Sequence, residues 1–345
     1  DKTPIRDRKT SQSFILRTVT GIDASKPTPT WMRARLKLAG MRSISLAVDI
    51  TNYVMLELGQ PVHAYDLDKI KGAFTIRRAT KGEVLKTLDG QERKLHEEDL
   101  LITDESGPIG LAGVMGGAST EVSETTTSVL IEAAHFDGIS IARTARRHKL
   151  FSEASKRYER GVDPRVGEIA AARVIQLLEQ HAGGKAGALG ATYSNFEPET
   201  EVLLPHGFAN ALMGVDYSGE EIESVLRAIG AQVRSEQGGL RVTAPSWRPD
   251  LSHKTDLVEE IARITGYDRI PSLLPVAPPG RGLTRAQQFR STALNSLAAS
   301  GCTEVLSYPF VSGASNEIFA DAKKAVLLAN PIQEDAGQLR ISLLP

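Results

Sequence analysis

The chain has 345 residues, of which 41% are hydrophobic and 24% charged, and its 41 Lys and Arg almost balance its 42 Asp and Glu. This length exceeds the ~250–300 residues at which one core stops growing, so we expect two or three domains. A single cysteine, Cys302, excludes an internal disulfide and a Cys-rich zinc site. The lack of a ~20-residue apolar run excludes a membrane span, and the balanced charge means that nucleic-acid binding would have to come from local clusters of basic residues.

Strand-like and helical segments alternate over residues 11–190. The strand-like segments are FILRTVTGI, AFTIRRA, DLLITD and SVLIEAA. WMRARLKLAG and PRVGEIAAARVIQLLEQHAGG have apolar residues at helical spacing and end in glycine, which predicts two helices. GGKAGALGA then predicts a turn-rich exit and FEPETE a linker. We therefore expect a mixed α/β domain over residues 11–190.

Residues 199–274 predict a small α+β domain. The order is strand EVLLP, helix SGEEIESVLRAIG, hairpin QVRSEQGGLRVTAPSW and helix TDLVEEIARITG, which suggests a winged-helix or helix-turn-helix-like module. PSLLPVAPPGRG predicts a Pro-rich linker. The helix RAQQFRSTALNSLAASG and the strand-like EVLSYPF then begin a truncated third domain within residues 275–345. The expected fold class is thus multidomain α+β.

Polar residues and glycines in the first region predict a pocket. In DITNYVMLELGQPVHAYD (residues 49–66), Asn52 and His63 lie among apolar residues that should form a wall. By itself, His63 is more often a hydrogen-bonded structural histidine than a catalyst. The glycines of PIGLAGVMGG (residues 108–117) fit neither a dinucleotide loop nor a phosphate loop. They indicate close backbone approach, either to another strand or to a ligand.

Glu132 follows the apolar strand SVLI, where its side chain should be buried. A buried charge requires a partner, which would be Arg143 or Arg146 in a purely structural role, or a ligand hydroxyl or ammonium group in a functional one. The chain has no GxSxG, HExxH or P-loop lysine, and no Cys beside a His. If this region is enzymatic, water makes the attack.

Two charged clusters have alternative explanations. The segment from Gly138 to Arg160 contains seven Lys or Arg but only two acidic residues, and such a run is usually a solvated helix face. Three carboxylates of the second region, Asp256, Glu259 and Glu260, share a helix face and follow Asp250 closely. Exposed acids are ordinary on such a helix, although several oxygen ligands also suit Mg²⁺.

The blocks at residues 49–66, 108–117 and 131–161 together resemble the β subunit of bacterial phenylalanyl-tRNA synthetase. The resemblance implies that residues 11–190 form an editing domain, which hydrolyses tRNA-Phe mischarged with tyrosine. It implies that His63 and Asn52 are catalytic residues near the ester and the terminal adenosine, and that Glu132 receives the tyrosine hydroxyl. The other implied substrate-binding residues are Gly116, Gly117, Ser152, where relatives often have Thr, and Ala154.

The same resemblance implies the partners and cofactors. The acceptor end of tRNA-Phe would contact Arg146, Arg147 and Lys149. Mg²⁺ would be shared between an α subunit and the four carboxylates, and ATP would be used at the α subunit of an α₂β₂ enzyme, with L-tyrosine and L-phenylalanine as the amino acids. The third domain would be a catalytic-like structural partner without ATP chemistry.

The role of the pocket remains open between two interpretations. In the editing interpretation, His63 orients the water or the ribose and is not a strict general base, because an aminoacyl ester is already activated toward water. The alternative is a non-catalytic scaffold that docks the α subunit and tRNA. A winged-helix nucleic-acid-binding protein is disfavoured because the second region has no basic recognition helix.

The two ends of the sequence predict a cytoplasmic chain that is part of a longer protein. DKTPIRDRKT is neither a signal peptide nor an initiator-Met start, and LRISLLP stops inside an apolar run. The single cysteine also fits a reducing compartment.

Overall fold

The computed structural model describes residues 11–319 and 321–344. The segment DKTPIRDRKT therefore lies outside the described residues. The chain divides into two compact units, Asp1–Pro271 and Ser272–Pro345. Helices and short antiparallel sheets occur in both units, which confirms the predicted multidomain α+β class.

The helices of the first unit are α1 (Thr30–Leu38), α2 (Leu46–Leu58), α3 (Gly138–His148), α4 (Glu153–Arg160), α5 (Gly167–Ala182), α6 (Phe208–Met213), α7 (Gly219–Ala228) and α8 (Lys254–Thr265). Its strands are β1 (Ser13–Thr20), β2 (Val62–Asp66), β3 (Thr75–Arg78), β4 (Val84–Lys86), β5 (Glu92–Lys94), β6 (Leu100–Asp104), β7 (Gly107–Leu111), β8 (Met115–Gly116), β9 (Ser128–Ala134), β10 (Lys185–Ser194), β11 (Glu201–Pro205), β12 (Gln232–Glu236) and β13 (Gly239–Thr243).

A central antiparallel sheet of order β10-β1-β9-β2 separates two apolar cores. Successive side chains of a strand point to opposite faces, and β1 shows this clearly. Phe14 and Leu16 pack with the core that includes β6 and β7, which belong to a second sheet of order β3-β6-β7-β8. Ile15 and Val19 pack instead with α1, α2 and α5. The sheet is therefore covered by helices on one face and mainly by a second sheet on the other.

The block at residues 49–66 folds as a helix followed by a strand. Helix α2 ends at Gly59, whose φ of 74° is the left-handed conformation that glycine adopts most easily. The buried carboxylate of Asp49 fixes the start of α2, because it accepts hydrogen bonds from Thr28 Oγ1 at 2.6 Å and from the Ile44 amide at 2.8 Å. The chain then returns as β2 and pairs with β9.

The expected turn-rich exit GGKAGALGA is wrong. Most of this segment belongs to β10, which pairs antiparallel with β1 along the edge of the central sheet. At Gly190, an added Cβ would lie 2.7 Å from the Leu16 carbonyl oxygen, so the strand needs glycine for close approach. The turn prediction failed because pairing with a distant strand outweighed the local preference of glycine for turns.

A third core belongs to the small region that follows the linker near residues 195–200. Its sheet has the order β11-β13-β12, and Ser218 caps α7, because its side chain accepts a hydrogen bond from the Glu221 amide. The predicted hairpin and the helix over TDLVEEIARITG are confirmed as β12, β13 and α8. The structure adds the short helix α6, which the sequence did not predict.

The second unit contains α9 (Arg285–Ala299), β14 (Phe310–Val311), α10 (Gly313–Phe319) and β15 (Gln338–Leu339). The predicted helix RAQQFRSTALNSLAASG is confirmed as α9. The strand expected over EVLSYPF is wrong for its first six residues, because only its last residue joins the two-residue pairing of β14 with β15. The division of the chain at residues 190, 199 and 274 stays a prediction. No helix within the described residues is both long and apolar enough to cross a membrane.

Candidate functional site

A cavity of about 90 Å³ lies between the central sheet and the β6-β7-β8 strands. Its wall is mostly apolar or glycine, and its polar side chains come from β2, β9 and α4. Of the predicted site residues, the structure brings four to this wall: His63, Gly116, Glu132 and Ala154. They come from four separate parts of the chain, so the cavity exists only in the folded domain.

The register of β2 with β9 places His63 directly opposite Glu132. Both side chains therefore lie on the same face of the central sheet. Glu132 is only 6% exposed, and burial raises its pKa to about 7, partly offset by a hydrogen bond from the Tyr65 hydroxyl to Oε2. Its other oxygen, Oε1, has no hydrogen-bond partner among residues 11–319 and 321–344.

The partner of Glu132 thus differs from both arginines considered from the sequence. Arg146 forms an ion pair with Glu159 at 2.5 Å, and Arg143 is exposed, away from this cavity. Tyr65 supplies the hydrogen bond instead. The signal was available in the sequence, because Tyr65 follows His63 by two residues and must share its face if the segment is a strand.

His63 lines the cavity with its ring edge against Gly116. A Cβ at Gly116 would lie 2.6 Å from both His63 Cε1 and Nε2. Protein atoms around the ring deprive the imidazolium of hydration and lower the pKa of His63 to about 4, so the ring is neutral near pH 7. Neither ring nitrogen bonds to another described residue, which leaves both available to a water or a ligand.

The glycine block makes the close approach between strands that was one of the two alternatives from the sequence, and its role toward a ligand stays a prediction. Gly110 pairs with Gly116 across β7 and β8, and the Gly117 amide donates to the Ile109 carbonyl at 2.7 Å, so strand approach explains part of the block. Gly116 also faces the cavity beside His63. Gly117 does not line the cavity, and its predicted role in substrate binding stays a prediction.

Helix α4 supplies the remaining wall. Ser152 caps this helix by accepting from the Ser155 amide at 3.0 Å, and its hydroxyl donates to the Val114 carbonyl at 2.8 Å. Ser152 itself does not line the cavity, whereas Ala154 does. The Tyr158 hydroxyl donates to the Ala134 carbonyl at 2.9 Å, which ties α4 to β9. A cap and a tyrosine therefore fix the position of the wall.

Asn52 is not brought to the cavity. It lies on α2, and the buried side chains of that helix pack in the core on the other face of the central sheet. The predicted role of Asn52 near a terminal adenosine stays a prediction.

Several basic side chains between Gly138 and Arg160 are paired with acids and are therefore less available to a ligand than the composition of this segment indicated. Arg146 pairs with Glu159, and Arg147 pairs with Glu98 and with the fully buried Asp99. Arg147 therefore has a structural role within the domain. Lys149 is exposed, ends α3 in the left-handed conformation with a φ of 54°, and has no acidic partner within the described residues.

The four carboxylates proposed for Mg²⁺ do not form a cluster. Glu260 is buried and is held by Arg248 at 2.9 Å and Arg263 at 2.8 Å, and these hydrogen bonds lower the pKa of Glu260 to about 2. The Asp256 carboxylate accepts from the Ser252 and His253 amides as part of a helix cap.

Asp250 is also engaged, because Arg248 donates to both of its oxygens. Only Glu259 of the four is exposed and without an ion pair in the described chain. No group of three or more His, Cys, Asp or Glu in the part of the chain that is described has a geometry suited to a metal. These residues, as arranged here, do not fit a bound Mg²⁺.

Three family models match consecutive parts of the chain. The B3/4 domain model matches residues 10–183, which include the whole cavity wall. The tRNA synthetase B5 domain model matches residues 202–267, and the phenylalanyl-tRNA synthetase beta chain CLM domain model matches residues 270–345. The chain belongs to the phenylalanyl-tRNA synthetase β-subunit family.

Curated members of this family are similar along the entire chain. The phenylalanine–tRNA ligase beta subunit of Leifsonia xyli subsp. xyli is 59% identical over 100% of this chain, and that of Thermobifida fusca is 51% identical over 99%. The chain spans 41% and 42% of the length of these two phenylalanyl-tRNA synthetase relatives. An N-terminal fragment of the Pyrococcus horikoshii β subunit covers 77% of this chain and 78% of its own length, with 16% identity and a TM-score of 0.35, which is too low to define the fold.

Proposed function

We propose that residues 11–190 form an editing domain that hydrolyses the ester of tRNA-Phe mischarged with tyrosine. The observation that carries this proposal is the free Oε1 of Glu132 in a cavity whose wall is mostly apolar or glycine. A tyrosine side chain would donate its hydroxyl to this oxygen. Phenylalanine would leave the buried carboxylate without that bond, and such a penalty discriminates strongly between two ligands of the same shape.

The neutral ring of His63 supports hydrolysis by water. Its nitrogens have no partner among the described residues, so one can accept a hydrogen bond from the attacking water or from a ribose hydroxyl. An imidazole with a pKa of about 4 is a weak base, which favours positioning over proton abstraction.

A deacylation assay tests the proposal. Tyrosyl- and phenylalanyl-tRNA-Phe are incubated with the chain, alone and together with the α subunit, and with the Glu132→Gln variant, which keeps the shape of the side chain but removes its charge. We expect the preference for the tyrosyl ester to fall by roughly 10- to 100-fold, because a hydrogen bond to a charged group contributes about 1.5–3 kcal/mol. The scaffold interpretation would be favoured if the variant kept its preference for the tyrosyl ester. It would also be favoured if the parent chain hydrolysed neither ester, with or without the α subunit.

We further propose that the chain serves a phenylalanine–tRNA ligase in the cytoplasm, in an α₂β₂ assembly whose α subunit activates phenylalanine with ATP. Its curated relatives carry that ligase name. Because the Glu260 and Asp250 carboxylates are held by arginines, shared Mg²⁺ binding would require the α subunit to displace these pairs.

Approach of the tRNA acceptor end is assigned to the face around Lys149, whose charge is not paired. At low salt, Lys149→Met should weaken binding of tRNA-Phe more than Arg147→Met does, because phosphate contacts need an available cation and each variant removes one positive charge. Binding is measured by filter retention, and thermal unfolding checks that Arg147→Met remains folded. Equal losses for the two variants would remove this assignment.

A further inference from the structure

Tyr65 lines this cavity, and the editing proposal gives it no role. It is 1% exposed, and its hydroxyl donates to Oε2 of the buried Glu132. The carboxylate is therefore already bound to one phenol group, which belongs to the protein. The chemical group in that contact is the same as the one that distinguishes tyrosine from phenylalanine.

The Tyr65 ring is held by its neighbours. It contacts the His63 ring edge-on, with centroids 4.4 Å apart and an interplanar angle of 82°. It also contacts Phe74 in a similar geometry, with centroids 5.4 Å apart. A ring packed against two others keeps its hydroxyl in place without further cost when a ligand enters.

We propose that Tyr65 is a positioning and specificity-determining residue, whose hydroxyl holds one oxygen of Glu132 so that the other oxygen receives the phenol hydroxyl of the ligand. This inference rests on the proposed editing function. It assigns the selectivity for tyrosine to a pair of residues, one donor and one acceptor, and not to the carboxylate alone.

The groups around Glu132 explain why the Tyr65 hydroxyl matters for the charge of this carboxyl group. The titratable side chains facing it are Tyr65 and His63 on β2 and Tyr158 on α4, while β1 contributes the apolar Leu16. No Lys or Arg forms an ion pair with Glu132 in the described residues. Burial raises the pKa of Glu132, and the Tyr65 hydrogen bond is what lowers it. Without the hydroxyl, the pKa of Glu132 would rise further, and less of the carboxyl group would be ionised at neutral pH.

The charge of the Glu132 carboxyl group sets the direction in which pH changes the preference for tyrosine. An ionised carboxylate is a stronger acceptor for a phenol than a protonated one. The preference for tyrosine should therefore increase as the pH rises through the pKa of Glu132, which is about 7. Removing the Tyr65 hydroxyl should shift this increase to higher pH.

The test uses Tyr65→Phe, with Tyr193→Phe as the matched control. The Tyr193 hydroxyl is buried and has no hydrogen-bond partner in the described chain, so its removal deletes the same group without deleting a hydrogen bond. Binding of L-tyrosine and of L-phenylalanine to the chain is measured by calorimetry between pH 6 and 9. The Glu132 carboxyl ¹³C resonance is followed over the same range without ligand.

For Tyr65→Phe we expect the preference for L-tyrosine at pH 7.5 to fall about tenfold and to recover at higher pH, as the loss of one hydrogen bond predicts. The midpoint of the Glu132 resonance should move to higher pH, and Tyr193→Phe should behave like the parent chain. An unchanged midpoint overturns the inference even if Glu132→Gln abolishes the preference. A parent chain that shows no preference, in amino-acid binding or in deacylation, overturns the editing function, whereas the resonance still decides whether Tyr65 controls the carboxylate.

Discussion

Gly116 shows how a single residue without a side chain can define a site. Its Cα lies against the edge of the His63 ring, and an added Cβ would approach two ring atoms to 2.6 Å. Atoms at that distance must move apart, and the ring is the part that can turn. The glycine therefore sets the orientation of the imidazole in the cavity.

We expect Gly116→Ala to reduce hydrolysis of tyrosyl-tRNA-Phe by about tenfold or more, because small displacements of a positioning group are costly. Gly110→Ala is the matched control. It lies in the paired strand and also lines the cavity, but its Cβ would meet its nearest atom, the Cα of Gly116, at 3.7 Å, an ordinary contact. Equal rates for the two variants, in a deacylation assay with circular dichroism as the check on folding, would show that His63 need not be held.

At the scale of an element, the cap of α4 connects local stability to the cavity. Ser152→Ala removes the bond to the Ser155 amide and the bond to the Val114 carbonyl. We expect a loss of about 1 kcal/mol in stability and slower deacylation, because Val114 and Ala154 both line the cavity. Thermal unfolding and the deacylation rate measure the two effects.

Ser218→Ala is the control for this prediction. Ser218 caps α7 in the same way, but α7 lies in the third core and contributes nothing to the cavity. Its loss should lower stability and leave deacylation unchanged. A Ser152→Thr variant, which keeps the hydroxyl, should retain both the stability and the deacylation rate of the parent chain. If it loses either one, the hydroxyl is not the only part of Ser152 that matters.

Helix α8 makes a second prediction at this scale. Glu260→Gln should cost about 2–3 kcal/mol, since two arginines lose a charged partner. Glu259→Gln, at the preceding residue, should be nearly neutral, because that side chain is exposed and unpaired in the described chain.

The contribution of Glu260 also depends on pH in a defined direction. Its pKa is lowered to about 2 from 4.5. The unfolded chain therefore binds more protons between these values, and the stability from Glu260 is lost as the pH falls from about 4.5 to about 2. Urea unfolding of both variants at pH 7 and pH 3 measures this. A Mg²⁺-dependent effect of Glu260→Gln in the isolated chain would favour metal binding instead.

At the scale of the whole first unit, Gly161 joins the cavity-bearing region to the region of the third core. It ends α4 with a φ of 100°, and an added Cβ would lie 2.7 Å from Pro249 Cγ. Few residues other than glycine tolerate that backbone conformation, and the contact leaves no space for one.

Gly161→Ala should therefore loosen the connection between the two regions. We expect faster proteolysis near residues 195–200, which contain no helix or strand. Gly238→Ala is the control, because its φ of 109° imposes similar backbone strain while an added Cβ would meet no atom within 4 Å. If both variants are cleaved equally fast, backbone strain alone explains the effect and the Pro249 contact has no role.

The elements that the sequence predicted well are those with strong local signals. The amphipathic periodicity of α5 and α8 and the cap at Ser218 each specify a helix within one short segment. The glycine-rich β10 was missed because its structure depends on pairing with β1, more than 150 residues away. The ion pair of Glu260 could not be predicted from the pattern of acids in α8, because its partner Arg248 lies outside that helix.

The sequence by itself determined the family, the alternation of strands and helices, and the presence of a buried carboxylate at Glu132. Only the tertiary structure decided what that carboxylate contacts. The register of β2 with β9 sets His63 opposite Glu132 and brings Tyr65 within hydrogen-bonding distance. Such contacts join residues that are distant in sequence. Strand pairing and core packing set the distances between them, and these distances cannot be read from the order of residues along the chain.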